Sequence, residues 1–305
     1  MFGFLKKSKI LVTHNGSFHA DDVFACAILQ IYLDKAGEKY EIVRTRDQAD
    51  FDRGDFVFDV GGIYDPSKDR FDHHQKGRAG TRENGIYYAA CGLVWKKYGP
   101  LIAGAEVADA LDKKIFQALD AVDNGQDLSK NIFENVFPYS VPSVVGAYNL
   151  SWKEDDSAEY GQFIKASEWA KEVVKREIVQ MQSSIESEKD VLGQYSNASD
   201  KRLVILEKPY SRQEINRVLV NFSEPVYFIY PKSDGSGWKI EAVRVSSSSF
   251  ESRKQFPAEW AGLRDEDFQK ASGVADAYFA HDGRFYCVAK SKEGTLALAN
   301  KALNS

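Results

Sequence analysis

The stretch KILVTHNGSFHADD, residues 9–22, decides the fold. Lys9 to Thr13 is a brief apolar run that gives way to polar residues and Gly16, the pattern of a buried strand ending at His14. Directly after it, Asp21 to Leu33 places Val23, Phe24, Ala27, Ile28, Ile31 and Tyr32 at helical spacing. Working outward, Tyr40 to Thr45 and Asp55 to Val60 read as further strands, the latter ended by Gly61 and Gly62. Tyr87 to Tyr98 and Val107 to Val122 carry the 3.6-residue period of helices. Strands alternating with helices predict an α/β domain, a parallel sheet with helices on its faces.

Beyond this domain the pattern changes. Glu159 to Val191 is long, charged and helical, fitting one connecting helix or a pair. Gly193 to Lys201 is rich in Ser, Asn and Asp and reads as a surface linker. Leu203 to Leu206, Val226 to Tyr230 and Trp238 to Val245 then read as strands. Tyr278 to Ala280 and Phe285 to Ala289 read as two more, and Glu293 to Leu303 as a closing helix. The expected division lies near residue 195. Residues 1–195 form the metal-binding catalytic domain with its connecting helices, and residues 196–305 a smaller α/β or α+β substrate-binding domain. A chain of 305 residues agrees with two domains of about 150 residues each.

Composition narrows the function. The chain is 43% hydrophobic and 28% charged, ordinary for a globular protein. Its net charge of −5 argues against a broad basic groove for long duplex nucleic acid. Cys26, Cys91 and Cys287 are scattered and odd in number, which fits neither a disulfide framework nor a cysteine-zinc module. No stretch has the ~20 apolar residues of a membrane span, and the apolar run after Lys9 is too short for a signal segment. A cytoplasmic protein without membrane association is expected.

Histidine placement carries the chemistry. Four of the five histidines, His14, His19, His73 and His74, lie in the first quarter, after strands or in loops. In open α/β sheets ligands bind beyond the carboxyl ends of the strands, so separate loops can bring these residues to one place. His14, His19 and Asp21 gather at the first strand-to-helix turn, where imidazole with carboxylate suits Mn, Zn, Fe or Co better than Ca. As a structural alternative, the two histidines pack or cap the turn while Asp21 and Asp22 serve the helix dipole. Asp59 follows the apolar Phe56-Val57-Phe58, where a carboxylate is costly to bury unless paired or metal-bound. Asp72-His73-His74-Gln75 supplies neighbouring histidines that point in different directions. Asp120 and Asp123 end a helix at Gly125, against its dipole, and Asp123 is preferred because it lies nearest the break. Together these clusters can hold two ions with a shared carboxylate, an arrangement that clamps a phosphate.

Asp72-His73-His74 resembles the motif of the DHH phosphoesterase superfamily, which includes manganese pyrophosphatases, RecJ-like exonucleases and oligonucleotide hydrolases. A closer resemblance is to the melanocyte-proliferating-gene family of metal-dependent hydrolases. Thr13 to Asp21, Val43 to Asp47, Asp59 to Pro66 and Phe71 to Gln75 carry it, and Asp120 to Gly125 also fits. Trp238 to Val243, Phe250 to Lys254 and Phe279 to Phe285 extend it through the second half. The resemblance implies a DHH-phosphoesterase-like sheet domain, with metal ligation by His14, His19, Asp21, Asp59, His73 and Asp123. It implies two divalent ions, Mn2+ first with Mg2+, Co2+ or Zn2+ as alternatives, and a metal-activated water attacking phosphorus. His74 then contacts substrate and joins Asp21 and Asp59 in the catalytic set. Family members are associated with 3′–5′ RNA exonuclease activity, so RNA or a short oligonucleotide is the expected partner. The chain departs from the family in having Asp21-Asp22 where Asp-Glu is usual, and Tyr286-Cys287 where a glycine pair is usual.

On the substrate side, Arg253, Lys254 and His281 are the candidates, able to neutralise phosphate oxygens; a solvated surface pair is the alternative for Arg253 and Lys254. Arg44 and Arg46 are weaker candidates for the same cleft. Two other functions stay open: hydrolysis of a small phosphate compound such as pyrophosphate or a nucleotide, and metal binding without catalysis. A homodimer also stays open.

Overall fold

The computed structural model describes residues 7–305, and the expectations that touch Met1–Lys6 lie outside them. The chain divides into two compact units, residues 1–182 and 183–305. The division falls inside one long helix, and this helix runs on through Asn197, so most of the stretch read as a linker is helical.

The first unit runs β1 (Lys9–Thr13), α1 (Ala20–Ala36), β2 (Tyr40–Arg44), α2 (Gln48–Arg53), β3 (Phe56–Phe58), β4 (Tyr64–Asp65) and β5 (Arg70–Phe71). Helices follow: α3 (Ala90–Ala103), α4 (Ala105–Leu111), a π-helical turn over Asp112–Phe116, α5 (Gln117–Asp123), α6 (Val141–Gly146) and α7 (Glu159–Asn197). The sheet has the order β2-β1-β3-β5-β4. β2, β1, β3 and β5 are parallel and β4 returns antiparallel to β5, so the expected parallel sheet carries one reversed edge strand. Leu11, Val12, Val57, Phe58 and Phe71 are almost fully buried along it. Helix α1 is apolar nearly all round, as a helix enclosed by the core must be, and it packs on α3.

Local chemistry sets the element ends. The third strand stops at Phe58, short of the expected Val60, because Asp59 adopts a left-handed backbone (φ 55°) that no strand sustains. Gly37, at φ 65°, closes α1 by donating to Asp34 and Leu33 carbonyls. The helix expected over Val107–Val122 is interrupted by the π-helical turn.

The second unit holds β6 (Leu203–Ile205), α8 (Arg212–Leu219), β7 (Tyr227–Pro231), β8 (Trp238–Ala242), α9 (Asp265–Ser272), β9 (Ala277–Ala280), β10 (Tyr286–Ala289) and α10 (Lys292–Asn304). Its sheet, β6-β7-β8-β10-β9, is antiparallel apart from the parallel β6–β7 pair. Alternation along β7 covers both faces. Tyr227 and Ile229 join Phe256, Trp260, Phe268 and Leu298 on one side. Phe228 and Tyr230 join Ile215, Leu219, Val191 and Tyr195 on the other. Among the described residues no helix is long and apolar enough to cross a membrane.

Candidate metal centre

Three parallel strands end at one edge of the first sheet, and the residue after each end faces the same spot. His14 follows β1, Asp59 follows β3, and Asp72-His73-His74 follow β5. Helix α1 adds Asp21 and Asp22 from its first turn, and α5 adds Asp123 from its last.

Asp59 is the hub. Its Oδ2 lies 3.3 Å from His14 Nε2, and its Oδ1 lies 3.2 Å from His73 Nε2. His14 Nε2 is also 3.4 Å from Asp22 Oδ2. His73 Nε2 is 3.3 Å from Asp123 Oδ2 and 3.7 Å from Asp21 Oδ2. Two ligand groups result, His14–Asp22–Asp59 and Asp21–His73–Asp123, with Asp59 turned towards both; a third combines Asp59, His73 and His74.

These atoms crowd without bonding one another. Asp22 Oδ2, Asp59 Oδ1 and His73 Nε2 are buried and have no hydrogen-bond partner. Buried polar atoms are otherwise almost always paired, and a knot of carboxylates repels itself. Burial, reinforced by the Asp59 and Asp123 charges, holds Asp21 well above the usual carboxylate range. Burial lifts Asp22 to about 7. Asp123 is raised by its burial and by Asp59. Asp59 goes the other way, because the His14 and His73 imidazoles outweigh its burial. Imidazole nitrogen and carboxylate oxygen, unpaired and gathered within one buried spot, fit a divalent transition ion.

The surrounding side chains hold the ligands in place. Asp21 accepts the Ala90 and Cys91 N–H groups at 2.9 and 2.7 Å, which start α3 at Ala90 rather than at the expected Tyr87. Asp22 accepts the His19 N–H at 2.8 Å and so caps α1 while presenting its other oxygen to His14. Asp72 accepts His74 Nδ1 at 2.7 Å and the Gly62 and His74 N–H groups. His74 is thereby fixed and its pKa raised, chiefly by Asp72. Its side chain remains 63% exposed, open to solvent.

Of the six expected ligands, His14, Asp21, Asp59, His73 and Asp123 converge. His19 stands apart: its exposed ring lies 6.3 Å from that of His14 and borders a cavity of about 230 Å³ with Asp21 and Asp123. Asp22 takes a place inside the cluster that its reading as a helix-dipole residue did not give it. Asp120 is fully buried and turned away, accepting Arg82 Nη1 at 2.5 Å, the Gly92 N–H at 3.0 Å and the Cys91 thiol at 3.3 Å. Arg44 is tied to Glu159 at 2.6 Å and to the Gly16 carbonyl.

In the second unit, Arg253 and Lys254 spend their donors on the backbone. Arg253 donates to the Pro225 and Val220 carbonyls at 3.0 Å each. Lys254 donates to Leu303 and Ser305 at the end of α10. Both charges expected to meet phosphate thus serve the fold. His281 accepts the Gly283 N–H at 2.9 Å and sits among Phe279, Phe285 and Tyr286.

The family described as MYG1_exonuc, uncharacterised protein family (UPF0160), matches residues 10–303. A MYG1 protein of Saccharomyces cerevisiae is 30% identical, covering 98% of this chain and 96% of its own. One of Caenorhabditis elegans is 28% identical, covering 97% and 95%. The human MYG1 exonuclease is 27% identical, covering 95% and 85%. Among solved structures, exonuclease RecJ bound to manganese aligns over 98% of this chain and 91% of its own, at 12% identity and a TM-score of 0.27. CDC45 from Entamoeba histolytica aligns over 98% and 96%, at 10% identity and a TM-score of 0.28. At those scores the structural likenesses say nothing about chemistry. The match over residues 10–303 places the chain in the MYG1 exonuclease family.

Proposed function

We propose that the chain is a divalent-metal-dependent phosphodiesterase, a 3′–5′ exonuclease acting on RNA or short oligonucleotides. The observation that carries this reading is Asp59, whose two oxygens face two separate ligand groups from the end of one strand. His14, Asp22 and Asp59 would hold one ion. Asp21, His73 and Asp123 would hold a second, with Asp59 shared. Manganese is the first candidate for this donor set, ahead of Mg2+, Co2+ and Zn2+. When bound, such ions neutralise phosphate oxygens and supply a nucleophilic water at neutral pH.

The chain's own residues do the remaining work. His74, anchored through Nδ1 by Asp72, offers its other ring nitrogen to a phosphate oxygen or a leaving hydroxyl. His19 borders the cavity beside Asp21 and Asp123 and would contact the scissile region. The net charge of −5 suits short or single-stranded substrates, which need few phosphate contacts. The name exonuclease on the human relative supports the same reading.

The test uses RNA labelled at either end, incubated with the purified chain and Mn2+, Mg2+, Co2+ or Zn2+ in turn. Stepwise shortening from the 3′ end is expected, lost in His73→Ala while that variant still unfolds cooperatively. Phosphate release from pyrophosphate or nucleotides with intact RNA would replace the substrate. Hydrolysis by metal-free protein would overturn the metal reading.

A further inference from the structure

His14 turns its Nε2 towards Asp59 and Asp22, at 3.3 and 3.4 Å, and its ring is held from behind. Its Nδ1 lies 3.1 Å from the Asn15 carbonyl oxygen. A carbonyl only accepts, so in the neutral ring Nδ1 carries the proton and Nε2 keeps the lone pair that a metal ion needs.

The Asn15 carbonyl is itself fixed. It shares one rigid peptide plane with the Gly16 N–H, and the two point opposite ways. The Gly16 N–H donates to Glu159 Oε1 at 2.9 Å. Glu159 opens α7, 143 residues beyond Gly16. The same oxygen receives Arg44 Nη1 at 2.6 Å, and Arg44 Nη2 donates to the Gly16 carbonyl at 2.8 Å. Arg44 is buried, its guanidinium 4.4 Å from the Phe163 ring centroid and 5.2 Å from that of Phe18. Asn149 secures the other end of the turn, accepting the Phe18 N–H at 2.9 Å and donating to the Phe18 carbonyl at 2.8 Å.

A carboxylate on the N–H side of a peptide polarises it and strengthens its carbonyl as an acceptor. A group that holds the non-ligating nitrogen of a histidine orients the ring and raises its basicity towards an ion. Pairing with Arg44 alone would not need the Gly16 N–H.

We propose that Glu159 is a positioning residue for His14. It acts through the Asn15–Gly16 peptide and sets the affinity for the ion held by His14, Asp22 and Asp59. This rests on the two-ion reading of the metal centre given above.

Two variants separate reach from charge. Glu159→Asp keeps the charge and shortens the arm by one methylene. Glu159→Gln keeps the arm and drops the charge. Glu159 is 30% exposed at a helix start, so both should fold. Each full chain, stripped of metal and freed of chelator, is titrated with Mn2+ by calorimetry. The unsubstituted chain is expected to bind two ions. Glu159→Asp is expected to weaken one of them about tenfold and the other less. Glu159→Gln should bind both as the unsubstituted chain does, because its amide oxygen still accepts the Gly16 N–H. Undiminished affinity in Glu159→Asp overturns the proposal. So does an equal loss in Glu159→Gln, which would make the charge facing Arg44 the operative feature. So does an equal loss of both ions, the mark of a general loosening. If the unsubstituted chain binds no Mn2+, the metal reading itself fails and the proposal with it; the other outcomes strike the proposal alone.

Discussion

Gly92 is a position where the smallest added group meets a buried, fully bonded neighbour. A methyl there would stand 1.9 Å from Asp120 Oδ2 and 2.6 Å from its Cγ. Asp120 cannot swing into solvent, because it is fully buried and bonded to Arg82, the Cys91 thiol and the Gly92 N–H. Overpacking a core costs about 1–3 kcal/mol, and breaking a buried charge pair about 3–5 kcal/mol. The two overlap here, and alanine returns about 1 kcal/mol of helix propensity. Gly92→Ala should therefore cost about 2–4 kcal/mol, obtained by setting the lost pair against the propensity gain. For a unit of this size that corresponds to a Tm about 4–16 °C lower. Scanning calorimetry of the full chain in EDTA reads it, with Gly161→Ala, which meets nothing within 4 Å, as the control. The same methyl displaces the start of α3, where Ala90 and Cys91 hold Asp21, so Mn2+ affinity should fall in parallel. A Tm within about 2 °C of the unsubstituted chain would refute the packing argument.

Other outcomes follow from the same geometry. Mn2+ at a hundred times its Kd should stabilise the stripped protein by about 2.7 kcal/mol, and Asp59→Asn should erase that gain; an equal rise in Tm for both proteins would place the ion elsewhere. Arg253→Ala should cost about 1–3 kcal/mol through its two lost carbonyl bonds and leave KM for an oligonucleotide unchanged, whereas a raised KM at constant Tm would return Arg253 to the substrate. Burial pushes the Asp55 carboxyl up, but the Lys9 ammonium and Ile10 N–H outweigh it, so its folded pKa lies below the ordinary 3.8. Its stabilising contribution is therefore present above pH 3.8 and lost as pH falls through the folded value. The stability gap between the unsubstituted chain and Asp55→Asn, followed by urea unfolding, should close in acid; a gap constant to pH 2.5 or so would contradict that assignment.

Much of the candidate metal site could be read from sequence because its residues sit at the ends of patterned elements. The apolar runs before His14 and Asp59 announce strands, and parallel strands point their ends one way. β5 escapes such reading because two residues, Arg70 and Phe71, carry no period. Asp22 was hidden by a double role: an acidic residue in a first helical turn looks like a dipole partner, and it is one, while its second oxygen turns to His14. Asp120 and Asp123 lie one turn apart, and only the tertiary position of Arg82 decides which stays at the centre. Arg253 and Lys254 bond carbonyls far along the chain, at Val220 and Ser305, and nothing local foretells that. Helix α8 is absent from the sequence expectations, although the Ser211…Glu214 capping box marks its start.

Asp59 has one further consequence. Its left-handed backbone is tolerated by aspartate, asparagine and glycine and by few other residues. The chain's geometry thus restricts the alphabet at this position as firmly as a bound ion would. Of the three, asparagine keeps the shape and removes the charge that two ligand groups share. Under the proposed function, a lineage could therefore shed its ion-dependent chemistry through one substitution while inheriting the fold intact.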